Sequence, residues 1–588
     1  MPSHVRCSLL VLLPIWLLPI WTACSGAPLT PGALIVPRDM SVLVSLPAGT
    51  VLRLAGSEGA PTIRATGEVA DGLLREAMRQ SSYFDVAAGP VAARTGVTPS
   101  VRIQFDGATG IASAHLDHTG QARHLTSISM GQRRLVEVID ELAIQVRLAL
   151  GDPIDEQPLP LQRIYSDNLE AVAGCEAALS LAREGNFDAA AARLIAVRRN
   201  DGGSSFLLEC MASIAVIQGN AAQARRLAQE ALGLQRRTSP TTTHRLLRTL
   251  LLARASLEPQ LATSYDQEVL TLAQVAARER PHDPEVRITA GIARNFLGQF
   301  DEAYRILKPL AERLHDHPSA HYHLGWAALG SNRGAEAAAA FAIAARGLPA
   351  RVIVVPRSIA LWTAGNQDEL RRMLDDVASD PAVRAGTALH EVLRMRAAHE
   401  ILCGNTDAGM QHVFADLDWL LLHPAILEER AGELAEVAET AVRLGYGQRL
   451  RPCLSSVLDR ESNTLLADAC TYGLGLVEAA AKQTRARASE DNLRRRGAGF
   501  WADALRAFGN QQRGELAAEQ EALGAAAAQS SSPLITAALV SNLRAQGRNE
   551  EAATLRRAMR RELTSLHMRR KLVHPLLGPE LAFPWLAP

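Results

Sequence analysis

A short phrase, glycine followed five residues later by alanine, returns along this chain at a fixed interval and limits what the chain can fold into. Gly185-Asn-Phe-Asp-Ala-Ala190 is answered 34 residues on by Gly219-Asn-Ala-Ala-Gln-Ala224. Gly298-Gln-Phe-Asp-Glu-Ala303 and Asn332-Arg-Gly-Ala-Glu-Ala337 stand at the same interval. Weaker copies begin at Gly365, Gly404, Gly445 and Gly547, and the phase is lost over 240–290 and 455–510. A period of this length marks a supersecondary unit that cannot bury its own apolar face and must stack on its neighbours. The spacing predicts roughly ten to twelve such units over 160–570.

Within one unit, Leu324, Gly325, Ala328, Ala337, Phe341, Ala344 and Pro349 follow one another at helix-hairpin spacing. Small residues let two antiparallel helices approach, Phe341 fills the gap toward the next hairpin, and Pro349 is expected to break the second helix. This pattern resembles the tetratricopeptide repeat. The resemblance implies a mainly α chain, in which a small N-terminal α/β module precedes a tetratricopeptide-like α-α superhelical solenoid. It also implies a groove that holds a protein or peptide partner.

Composition agrees with packed aliphatic helices: 47% of residues are hydrophobic and only 4% aromatic. Lys and Arg number 62, as do Asp and Glu, so no net charge attracts a polyanion and no nucleic acid is expected as partner.

Residues 38–155 read differently. Met40–Leu46, Val51–Leu54, Val101–Phe105, Ile111–Leu116 and His124–Ser129 alternate like strands, with turn signals at Asp106-Gly107 and Thr119-Gly120. Ala70–Gln80 has helical spacing, and Leu135, Val138, Ile139, Leu142, Ala143, Val146 and Leu150 form a long apolar stripe that stops at Gly151 and Pro153. The order of elements, with VADGLLREAMRQSSYFDVA early and RRLVEVIDELAIQVRLALGD late, resembles the TolB-amino-terminal-like module. That module also forms the periplasmic part of ToxR-type activators such as CadC, and the resemblance carries architecture without activity.

The N-terminus reads as an export signal over 1–23. Arg6 precedes the apolar run Leu9–Trp21, which is too short and Pro-broken to span a bilayer, and small residues follow. Thr22-Ala23-Cys24 resembles a bacterial lipobox, although Trp21 stands where an aliphatic residue is usual. Lipidation at Cys24 then anchors the chain, with 24–37 as tether. Cleavage after Ala27 to give a soluble exported chain and an uncleaved N-terminal anchor are the alternatives. Five cysteines follow Cys24, an odd number, with Cys453–Cys470 and Cys175–Cys210 as candidate pairs.

No residue is assigned to catalysis, to a cofactor or to a metal. His315, His317, His321 and His323 crowd the segment HDHPSAHYH, but Pro318 marks a helix start that divides them between a loop and diverging helical positions. A pH-responsive surface there is the functional alternative. His390-Glu391 and His399-Glu400 lack the second histidine of a zinc-protease helix, since Arg394 stands in its place, and they read as solvated helix surface. Arg494–Arg496, Arg556, Arg557, Arg560, Arg561 and Arg569–Lys571 read as solvated basic faces, with contact to anionic lipid headgroups or an acidic partner as the alternative. The tail 571–588 reads as a cap on the last repeat. The sequence thus points to a non-catalytic bacterial envelope lipoprotein that scaffolds protein–protein contacts from the periplasm. The alternatives are a sensory module without its own output domain and an envelope enzyme with an unrecognised site.

Overall fold

The computed structural model describes residues 51–556 with interruptions, the longest at 56–69, 79–84, 87–99, 153–159 and 162–168. The expected signal, Cys24, the tether, the strand at Met40–Leu46, and the C-terminal cap lie outside the described residues, as do Gly185, Gly219 and His315.

The strand-like stretches become β1 (Val51–Ala55), β2 (Asp85–Val86), β3 (Ser100–Asp106), β4 (Ile111–His118) and β5 (Gln121–Ser129), in sheet order β2-β1-β3-β4-β5. β1 runs parallel to both its neighbours, and β3-β4-β5 is an antiparallel meander with a register shift at Ala114/His115. Alternation puts Val101, Ile103, Ala112, Ala114 and Leu116 on the inner face. Helix α1 (Leu135–Ala149) covers β4 and β5 with the predicted stripe. Leu73, Leu74, Ala77 and Met78, from the helical segment beginning at Ala70, are buried with them.

Among the described residues ten antiparallel helix pairs follow. They are α2 (Leu169–Arg183) with α3 (Phe187–Asp201), α4 (Ser205–Ile217) with α5 (Ala221–Leu232), and α6 (Pro240–Leu257) with α7 (Ala262–Glu279). Next come α8 (Pro284–Phe296) with α9 (Phe300–Arg313), α10 (Pro318–Gly330) with α11 (Gly334–Ala344), and α12 (Ala350–Thr363) with α13 (Gln367–Ser379). After the one-turn α14 (Pro381–Arg384) come α15 (Ala388–Leu402) with α16 (Thr406–Leu421), α17 (Ala431–Arg443) with α18 (Gly447–Arg460), and α19 (Thr464–Ala480) with α20 (Arg485–Arg495). The tenth pair is α21 (Gly499–Arg513) with α22 (Leu516–Gln529), and α23 (Pro533–Ala545) opens another with helical residues 549–556. From α2 to α15, and again from α17 to α21, the first helix of each pair also touches the first helix of the next. The array is a tetratricopeptide-like α-α solenoid.

The recurring glycine has a backbone cause. Gly298, Gly365, Gly404, Gly445, Gly514 and Gly547 all sit at positive φ in the turn inside a pair, a conformation open to Gly and, less easily, to Asn. Asn332 takes that position at φ 59. In the α19–α20 turn the residue is Lys482, φ 54, which is why the phase is lost over 455–510. Over 240–290 it is lost because α6 and α7 each run to 18 residues.

Gly325 has a packing cause instead. A Cβ there would lie 2.7 Å from the ring of Phe341, which is fully buried. Burying that ring stabilises by about 2–3 kcal/mol, more than the roughly 1 kcal/mol a mid-helix glycine costs. Ala190, Ala224, Ala303 and Ala337 are likewise at 0% exposure, and Leu324 is half-buried against the same cluster. Pro349 departs from expectation. α11 has already ended at Ala344, capped by Ala345, and Pro349 is the N-cap of α12. Its fixed φ suits the start of a helix as well as it ends one.

The apolar interior falls into three large clusters with small ones between. One runs from Ala70 in the module to Leu246 in α6, so module and first repeats share a core. The second spans Ala303 to Ala398, and the third Ala397 to Ile535. Between Leu246 and Ala303 lie only small clusters, around Ile288 and Leu310, around Val269 and Ala293, and at Ala253.

Candidate functional site

Consecutive first helices are tied by buried polar pairs. Arg245 of α6 reaches Glu209 of α4 at 3.4 Å, Arg248 reaches Glu285 of α8 at 3.0 Å, and Asn295 of α8 donates to the His323 carbonyl of α10 at 2.9 Å. Further on, the Tyr472 hydroxyl of α19 donates to Glu439 of α17 at 3.3 Å, and Asn542 of α23 donates at 2.8 Å to Glu519 of α22, the second helix of the pair before. Arg443 of α17 reaches past α19 altogether, lying 5.1 Å from the Phe508 ring and donating to Gln511 of α21 at 3.0 Å. As a result, α19 is buried on every side from Leu466 to Ala479 except at Leu474.

The densest of these junctions involves a residue expected on the surface. His390 is 1% exposed; its Nδ1 lies 2.5 Å from Asp416 of α16 and its Nε2 2.8 Å from Glu433 of α17. Arg394, one turn on, pairs with Glu433 at 3.1 Å and Glu436 at 3.8 Å. Trp419 stacks on His390 and, at 4.0 Å, on His423. Burial pulls the His390 pKa down, but the hydrogen bonds to Asp416 and Glu433 outweigh it and the net direction is up. Burial raises Asp416, only partly offset by the bond to His390. His399 is also buried, with its ring edge-on to Trp362 at 5.5 Å. Both histidines and Glu391 therefore sit inside the array, with Glu400 half-buried, because α15 packs against the pairs before and after it.

The HDHPSAHYH segment does divide at Pro318. His317 is the N-cap of α10, accepting from the Ala320 N–H, while His321 is buried and His323 half-buried. Burial pushes His323 down to about 3, so this ring stays neutral near neutral pH. No group of three or more His, Cys, Asp or Glu among the described residues is arranged to hold a metal ion. The five described cysteines are thiols: Cys175, Cys210 and Cys470 buried, Cys453 half-buried and Cys403 exposed. Neither candidate disulfide forms.

A cleft of about 420 Å³ opens where α13, α14 and α15 meet, lined by Asp375, Ala378, Ser379, Arg384, Leu389 and Arg396. Arg396 donates to Asp375, and Arg384 Nε to the Ala378 carbonyl at 2.9 Å. Neither arginine belongs to a motif readable in the sequence. The polar pairs between first helices were readable in principle, since Arg248 and Glu285 stand 37 residues apart, close to the repeat period. Aligning the repeats as columns would expose them.

No model of a known protein family matches the sequence, and no curated protein matches it. Solved structures similar to it include TTC0263, a thermophilic TPR protein of Thermus thermophilus. That likeness has 20% identity over 30% of this chain and 91% of that one, with a TM-score of 0.26. The human IFIT1 dimer with PPP-AAAA is similar at 10% identity over 70% of this chain and 93% of that one, TM-score 0.33. Naa15/Naa10 bound to HypK-THB is similar at 13% identity over 71% and 66%, TM-score 0.20. At such identities and scores the likeness does not reach what those proteins bind.

Proposed function

We propose that this chain is a non-catalytic scaffold of the bacterial cell envelope, exported, anchored through a lipid on Cys24, and holding another envelope protein against its solenoid. The observation that carries the reading is the stack of tetratricopeptide-like pairs joined to the α/β module through one core. Stacked helix pairs of this kind offer extended surfaces rather than a reaction centre. The His390 junction, with 1% exposure, is suited to holding three helices in register and not to meeting a substrate. Among the described residues no helix is long and apolar enough to cross a membrane.

Crosslinking in intact cells, followed by affinity purification and mass spectrometry of both the partners and the N-terminus, tests the proposal. A defined envelope partner that disappears with Cys24→Ala, together with a lipid on Cys24, supports it. An unmodified N-terminus and no specific partner would overturn it. A sensory role is the second reading, favoured by the His390 junction, whose protonation couples α15, α16 and α17.

A further inference from the structure

Three features meet at the cleft between α13, α14 and α15. Its volume, about 420 Å³, falls within the roughly 300–1,000 Å³ usual for small-molecule sites. It stands at the boundary of two apolar cores, since Leu389 on its wall packs against both the cluster spanning Ala303–Ala398 and the cluster spanning Ala397–Ile535. Its charges are unbalanced: two guanidinium groups, Arg384 and Arg396, face one carboxylate, Asp375.

We propose that this cleft binds a small organic anion, a carboxylate carrying an apolar tail, with the head between Arg384 and Arg396 and the tail against Ala378 and Leu389. A planar guanidinium offers paired donors at the spacing of a carboxylate's two oxygens, which makes it a better receptor for this head than a lysine would be. The backbone bond from Arg384 Nε to Ala378 holds that side chain along the wall. Asp375 plays the opposite part. It occupies Arg396 and competes with the incoming anion, which sets the affinity low and makes it adjustable. His412 on α16 lies within reach of the same charges. Its pKa is lowered chiefly by burial and next by Arg396, while Glu400 and Asp375 act the other way.

The test titrates the whole protein with hexanoate, hexanol and inorganic phosphate by isothermal calorimetry. Hexanoate is expected to bind saturably, phosphate more weakly, and hexanol not at all. Losing one charge-assisted contact in Arg384→Gln should weaken hexanoate about tenfold. Asp375→Asn should tighten it several-fold, an outcome that damage to the fold would not produce. Arg384 and Asp375 are both exposed, and near-UV circular dichroism checks that each variant keeps native packing. Equal binding of hexanol and hexanoate, or hexanoate affinity unmoved by both substitutions, would overturn the proposal. So would the absence of hexanoate binding to the native and Asp375→Asn proteins into the millimolar range.

Discussion

Replacing His390 with leucine tests the reasoning about the buried junction most directly. The two ring nitrogens lie 2.5 and 2.8 Å from carboxylate oxygens, and a neutral imidazole can donate only one of those bonds. The imidazolium is therefore the form that satisfies both. His390→Leu leaves Asp416, 2% exposed, without its donor. Removing one member of a buried pair costs about 3–5 kcal/mol, whereas removing both for apolar residues is often close to neutral. Read as local opening, the single substitution should speed hydrogen exchange over α15, α16 and α17 by about two to three and a half orders of magnitude. His390→Leu with Asp416→Leu should recover most of that.

The pH dependence has a definite sign. A histidine held above its ordinary 6.5 contributes stability that is complete below 6.5 and fades as pH climbs through the raised value. Asp416, raised above 3.8, also disfavours the folded form as it ionises, so both groups point the same way. The exchange gap between native and His390→Leu proteins should be widest near about pH 6 and narrow toward about pH 9. A gap under about threefold, which is less than 1 kcal/mol, or one constant across that range, would refute the argument.

Other expectations concern packing and chemistry elsewhere. Gly325→Val drives a side chain into the Phe341 ring and should cost about 1–3 kcal/mol in urea denaturation, partly restored by Phe341→Leu in the same chain. Arg147 and Asp152 form a 2.6 Å pair at 5% and 3% side-chain exposure; Asp152→Asn should destabilise the end of α1 by about 3–5 kcal/mol, seen as lost exchange protection there. Under native conditions iodoacetamide should label Cys403 first among the five described cysteines, and slowly, because burial and Glu400 raise its thiol pKa; Cys175, Cys210 and Cys470 should react only on unfolding. Early labelling of the buried three would contradict the packing described.

The parts of the fold that local sequence controls were legible. Gly298, Gly365, Gly404 and Gly445 announced their turns because a positive φ demands glycine, and Leu324, Gly325 and Phe341 announced a hairpin because their packing is set within one unit. What could not be read locally is what several units decide together. His390 meets Asp416 26 positions on and Glu433 43 positions on, so no short motif holds them, and His390-Glu391 looked like any charged helix surface. The cleft depends on the four-residue PAVR helix inserted between α13 and α15, a departure from the period that periodicity reading passes over. Lys482 hid a turn by adopting a backbone shape that its residue type does not advertise.

The division of the apolar interior has a bearing on how the molecule fails. Cooperativity in a linear array depends on how strongly each interface couples to the next, and the apolar interior is most divided between Leu246 and Ala303, where small clusters lie between the large ones. Under load or heat the chain should part there, leaving the module with its first repeats intact on one side and the later repeats on the other. Such a break point would let a long array yield in the middle and reassemble without losing either end.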